Sequence, residues 1–187
     1  MKKKITLLFT SVLLSISCKD TAKNQVATTD NEDKSSLTLN DVSLLPGANV
    51  LAFGPDNVLF IGDSKAGKLY AVPTQANELK EPVPFNMEGF DIVMAKTLNM
   101  APRDIVIGDM KIHPKSQEAY ISLKLGHAPE AKSLIAIVNP VTTDIKLLEM
   151  AEDNLQHISI NNPASSDLVF WKETSARSLT FTDIDYY

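Results

Sequence analysis

A single cysteine among 187 residues takes disulfides out of consideration, because even an exported chain needs a second thiol to form one. Histidine is scarce as well. His113, His127 and His157 share no zinc-type spacing, and no thiolate pair is present to complete a tetrahedral site, so each is expected as a turn or surface residue. No apolar stretch approaches the roughly 20 residues that cross a bilayer as a helix; the run from Ile5 to Ile16 is too short. Basic residues are in the minority, 18 Lys and Arg against 23 Asp and Glu, which leaves no footprint for a phosphate backbone and excludes nucleic acid as an expected partner.

What is present at the N-terminus is an address. Lys2, Lys3 and Lys4 precede the apolar run, which ends in Leu14, Ser15, Ile16, Ser17 and then Cys18, the chain's one thiol. A charged n-region, a short h-region and small residues before a cut are the features read by export machinery. The stretch resembles a bacterial lipoprotein signal peptide with its lipobox. The resemblance implies cleavage before Cys18, leaving residues 1–17 as the leader and Cys18 as a lipidated first residue. The alternative is an ordinary cleaved leader ending near Ser17. Loss of the three lysines takes the formal charge from −5 to −8. Residues 19 to 40 are rich in Thr, Asn, Asp, Lys and Ser, and hold almost no large apolar side chain before Leu37. Such a composition cannot bury enough surface to offset its ordering entropy, so residues 18–40 are expected to be a lipidated cysteine and a flexible tether. The expected location is the cell envelope, on the periplasmic or surface side of a bacterial membrane.

Residues 41–187 are enough for one domain core. Their apolar residues fall in short runs: 50–53, 58–61, 69–72, 119–123, 134–138 and 145–148, separated by Gly, Pro, Asn and Asp clusters. That punctuation predicts an all-β domain. One helix is expected over 89–99, where Phe90, Val93, Met94, Thr97 and Leu98 fall at helical spacing and Pro102 ends the run. It is expected as an insertion that packs on the sheet. Met87, Met94, Met100 and Met110 cluster around it and are expected as core filler.

Two stretches look like copies. Leu51 to Gly62 (LAFGPDNVLFIG) aligns with Met110 to Ser122 (MKIHPKSQEAYIS) with one insertion, each followed by a loop and a further strand. A third copy begins at Phe181, Thr182, Asp183, Ile184, Asp185 and Tyr186, in the pattern of Ile107 to Ile112. Strand, turn, strand, loop, strand is the order of a propeller blade, and closed propellers have four to eight blades. The expected fold is therefore a partial β-propeller, two blades and the start of a third, with the chain an N-terminal fragment of a longer protein; the alternative is a β-sandwich. As an open fragment, the segment from Asn40 to Tyr187 is expected to be poorly soluble or non-cooperative, with Phe181, Ile184 and Tyr186 only partly packed.

Leu51 to Ser64, Ile107 to Met110 with Pro114, and Leu125 to Ala131 resemble segments of exported bacterial β-propeller proteins of the YVTN and NHL repeat groups. The resemblance covers about residues 45–187. It carries no activity to named residues. The expected function of a lipid-anchored propeller is that of a binding or scaffolding module at the cell envelope, for a protein or small-molecule ligand.

Gly62 to Lys68 (GDSKAGK) nearly spells a P-loop, but Leu69 stands where Ser or Thr must bind magnesium, and the following run reads as strand. A hairpin with solvating lysines is expected there, without ATPase or thiol chemistry. Asp63, Asp109 and Asp183 lie at strand ends. They are expected to cap turns and no metal is expected; the alternative is a ring of carboxylates for Ca2+, as in calcium-dependent lactonase-like hydrolase propellers. Trp171 is expected as a strand aromatic at a blade edge.

Overall fold

The computed structural model describes residues 43–75, 77–150, 155–172 and 174–186. The leader, Cys18 and the tether lie outside the described residues. Within them the fold is all-β: three antiparallel sheets and one short helix.

The first sheet is built from β1 (Ala48–Phe53), β2 (Val58–Asp63) and β3 (Lys68–Pro73) in chain order. The helix α1 (Phe90–Thr97) follows. The second sheet is a meander of β4 (Ile105–Ile112), β5 (Ala119–Leu125), β6 (Ser133–Val138) and β7 (Ile145–Leu147). The chain then returns to the first sheet, where β8 (Gln156–Ser159) pairs with the outer edge of β3. A two-stranded hairpin of β9 (Val169–Phe170) and β10 (Thr174–Ser175) completes the described strands.

Register explains which side chains share a face. Leu51 pairs with Ile61, Leu59 with Val72 and Ile61 with Tyr70, so these residues form one apolar face of the first sheet. That face packs on Tyr120 and Ile135 of the second sheet. Ile121 pairs with Ala136 and Leu123 with Leu134 on the reverse side of the second sheet, where Met94, Ala95 and Leu98 of α1 cover them. The second sheet is thus buried on both faces, which is why β5 and β6 read as continuous apolar runs and not as strict alternation.

The helix sits on the sheet, but its buried stripe is rotated from the sequence expectation. Ala95 is buried and Val93 is exposed. Its end also differs. Asn99 takes left-handed backbone, φ 53°, and the Met100 and Asn99 amides donate back to the Ala95 and Lys96 carbonyls. This is a Schellman close, and it stops the helix before Pro102 acts. Of the methionines, Met94 is fully buried and Met87 and Met100 pack on the same core, whereas Met110 is exposed.

The two turns expected to be copies close alike. The Gly54 amide donates to the Val58 carbonyl at 2.9 Å, and the His113 amide donates to the Glu118 carbonyl at 2.8 Å, each just before a proline. The extra residue is accommodated in the second turn. Phe181 and Ile184 are half-buried and Tyr186 is exposed; the first two lie against the outer face of the first sheet at Gly62. A Cβ on Gly62 would stand 3.0 Å from both and 2.5 Å from Val50 Cγ2, so glycine there makes room for Val50 as well as for them.

Candidate functional site at the joint between the two sheets

Among the described residues, the buried polar side chains of Ser122, His113 and Thr74 meet where the two sheets join. The centre of the joint is the edge of β1. Among the described residues that edge has no strand partner, and two of its polar groups bond side chains of the second sheet: the Leu51 amide donates to Asp109 Oδ2 at 2.9 Å, and Ser122 Oγ donates to the Ala48 carbonyl at 2.9 Å. Asp109 reaches across because β4 carries an irregularity between Ile107 and Met110 that takes Gly108 and Asp109 out of the ladder. Bulges redirect side chains in this way. Gly108 permits the approach, since a Cβ there would lie 2.8 Å from Ser122 Oγ and 3.5 Å from the Asn49 carbonyl.

One end of the joint is aromatic. His113 is fully buried after β4, contrary to the surface alternative, while its turn role stands. Its Nδ1 accepts from the Lys115 and Ser116 amides, both at 3.1 Å. Nε2 therefore carries the proton and faces Thr74 Oγ1 of the first sheet at 3.2 Å. Thr74 Oγ1 in turn donates to the Asn57 carbonyl. Phe53 stacks edge-on to the His113 ring at 4.8 Å and to Tyr120 at 5.1 Å. Burial lowers the pKa of His113, with the Glu118 charge opposing and Lys115 reinforcing the shift. Burial pushes the Tyr120 hydroxyl up to about 12, helped by Glu118 and offset by a hydrogen bond with Thr74. Both shifts favour the neutral forms of the imidazole and the phenol, which the hydrogen bonds and ring contacts of the joint accommodate.

The other end is the hairpin expected from GDSKAGK, and strand β3 follows it directly. Asp63 is fully buried, and Oδ1 accepts from the Ala66 amide at 2.8 Å, the turn-capping role expected of it. Its Oδ2 has no hydrogen-bond partner among the described residues. Desolvation raises its pKa, against the pull of the Ala66, Gly47 and Lys65 amides and the Lys65 charge. The Lys65 ammonium does not solvate the loop. It donates to the Pro129 and Ala131 carbonyls at 2.6 and 2.8 Å, tying the hairpin to the β5–β6 loop. Burial is the largest influence lowering its pKa.

The remaining expected residues lie apart from the joint. Asp183 is exposed and, among the described residues, accepts from its neighbour's amide, Ile184, at 2.9 Å. His127 contacts the Arg103 carbonyl at 2.8 Å on the surface, and His157 on β8 lies 5.6 Å from the Tyr70 ring. Trp171 is not packed at a strand edge. It occupies the β9–β10 turn with φ 50° and is 82% exposed. Among the described residues no three His, Cys, Asp or Glu side chains gather as a metal site. A shallow apolar hollow lies on the outer face of the first sheet, lined by Phe60, Leu69, Ala71, Gln156, His157 and Ile158.

Ser122, Thr74, Tyr120 and Asn49 were not singled out from the sequence. Only Asn49 carries a local signal in the structure: it stands at the register shift of β1, where its Nδ2 donates to the Phe181 carbonyl at 2.8 Å. Comparison with family models, with curated proteins and with solved structures yields no match.

Proposed function

We propose that the chain is a lipid-anchored protein of the bacterial cell envelope whose β domain is a propeller-like binding or scaffolding module. The observation that carries the module reading is the paired construction. In each of two antiparallel units the first and second strands are joined by a turn closed by an equivalent amide, Gly54 or His113, and the units pack face to face with their first strands adjacent. Blades of a propeller are related in the same way. The joint supports a structural use of its polar groups, because Asp109, Ser122, His113 and Lys65 each satisfy backbone or side chain across it. The anchor reading is supported by Lys2 to Lys4, the short apolar run and the position of Cys18.

Membrane fractionation of the wild-type chain and of Cys18→Ser in a bacterial host tests the anchor. The wild type is expected in the membrane fraction and the variant released from it; equal distribution of the two would end this reading. Calcium tests the hydrolase alternative. A calcium-dependent rise in melting temperature, lost in Asp63→Asn or Asp109→Asn, would favour that alternative over a binding module.

A further inference from the structure

The β9–β10 hairpin departs from the rest of the domain. Leu168, Val169, Phe170 and Trp171 are consecutive apolar residues, and each is exposed, at 53, 48, 41 and 82%. Phe170 and Trp171 lie side by side with ring centroids 5.8 Å apart, so they present one aromatic surface. Trp171 and Lys172 both hold left-handed backbone, φ 50° and 68°, a conformation unfavourable for residues with a Cβ. The base of the hairpin is fixed. The Ala176 amide donates to the Leu168 carbonyl at 2.7 Å, Ser175 Oγ to the Ser166 carbonyl at 2.9 Å, and Arg177 Nε to the Ala164 carbonyl at 2.6 Å. A pinned base and a strained tip hold the aromatics outward.

We propose that the Trp171 hairpin is a membrane contact, its aromatic tip entering the interfacial layer of the bilayer. The inference rests on the lipid-anchor reading for its geometry. Residues 19–42 separate Cys18 from the described domain; a flexible linker of that many residues spans roughly 25 to 30 Å. A domain of this size has a radius of gyration of roughly 15 Å, so a linker of that length would keep every face within reach of the surface. Tryptophan suits that layer, with an apolar ring to bury and an indole N–H to leave among the headgroups. Lys172 beside it can extend its ammonium to the headgroups. Asp167 precedes the hairpin, Glu173 follows Lys172 in sequence, and the chain is acidic, so apolar insertion drives the contact and anionic lipid adds little.

Trp171 is the only tryptophan of the chain, so its fluorescence reports this site alone. The full-length protein is inserted into phosphatidylethanolamine–phosphatidylglycerol vesicles with either ordinary or brominated acyl chains, and the Cys18 peptide is checked for lipid by mass spectrometry. Blue-shifted emission, loss of intensity in the brominated vesicles and protection from iodide are expected. Phe170→Asp, which keeps the reporter, should restore iodide access. Equal intensity in both vesicles overturns the inference, whether the indole is open to iodide or shielded by protein such as a second copy. If Cys18 carries no lipid, the protein is mixed with the same vesicles: bromine quenching then supports the hairpin contact while the anchor fails, and its absence overturns both.

Discussion

Asp109 and Leu51 are joined across the two sheets, the carboxylate of one first strand accepting the backbone amide of the other at 2.9 Å. A side chain thus takes the place of a neighbouring strand at an open sheet edge, where unpaired amides otherwise invite association. Hydrogen bonds to charged groups contribute about 1.5 to 3 kcal/mol. Asp109→Ala is expected to lower unfolding free energy by about that amount, and Asp109→Asn, which keeps an acceptor, by less. Urea denaturation of the three proteins checks the order; equal stability of Asp109→Ala and wild type would show that the contact is incidental.

Gly108 is expected to tolerate no side chain. Gly108→Ala places a methyl 2.8 Å from Ser122 Oγ, and overpacking of this kind costs about 1 to 3 kcal/mol. Adding Ser122→Ala removes the clashing atom but also the bond to the Ala48 carbonyl, so the double variant should recover only part of the loss. A double-mutant cycle by denaturation reads the coupling; strict additivity would contradict the close approach.

His113 gives the domain a pH dependence with a definite sign. Its folded pKa is held below the ordinary 6.5 by burial, so below 6.5 the unfolded chain takes up the proton first. Stability is therefore present above that value and is lost as pH falls toward the folded pKa. Asp63 acts in the opposite sense. Its folded pKa is raised above 3.8, so its ionisation costs stability as pH rises through that window. His113→Asn retains an oxygen acceptor for the Lys115 and Ser116 amides without a titrating ring. Melting temperature followed from pH 7.5 to 5.5 is expected to fall more steeply in the wild type than in this variant, and parallel curves would refute the assignment.

Much of the fold was legible because it rests on local chemistry. The runs at 58–61, 69–72, 119–123 and 134–138 lie within strands, and Phe90 to Thr97 is helix. What the sequence hid depends on contacts between distant residues. Val93 was expected inward from its spacing, but the face of α1 is chosen by the second sheet, which takes Ala95 instead. Pro102 looked like the helix stop, whereas Asn99 closes the helix through backbone conformation that several residue types adopt. His113 looked like a surface turn residue because nothing local announces that Thr74, 39 positions away, faces its ring. The return of β8 to the first sheet after the second was equally invisible, since its exposed residues carry no apolar alternation. At the site, Asp63 does end a strand and cap its turn as its position suggests, whereas Asp109 lies inside β4 at the bulge and not at a strand end, and Ser122 and Gly108 acquire their roles only from the approach of β1.

Asn99 offers a compact check on the helix close. Asn99→Gly is expected to be neutral or slightly stabilising, and Asn99→Val to cost about 1 to 2 kcal/mol, the penalty of a β-branched residue in left-handed backbone. Thermal unfolding of the two variants decides; a harmless Val would place Asn99 in another conformation.

Export and acylation, as proposed, would make Cys18 the first residue of the mature chain. Mass spectrometry of the N-terminal peptide of the protein isolated from bacterial membranes tests this most directly. The account predicts a peptide starting at Cys18 and carrying the mass of a diacylglyceryl group, absent from Cys18→Ser. A mature chain that starts after Cys18, or one that retains Met1 to Ser17 with an unmodified thiol, would contradict it.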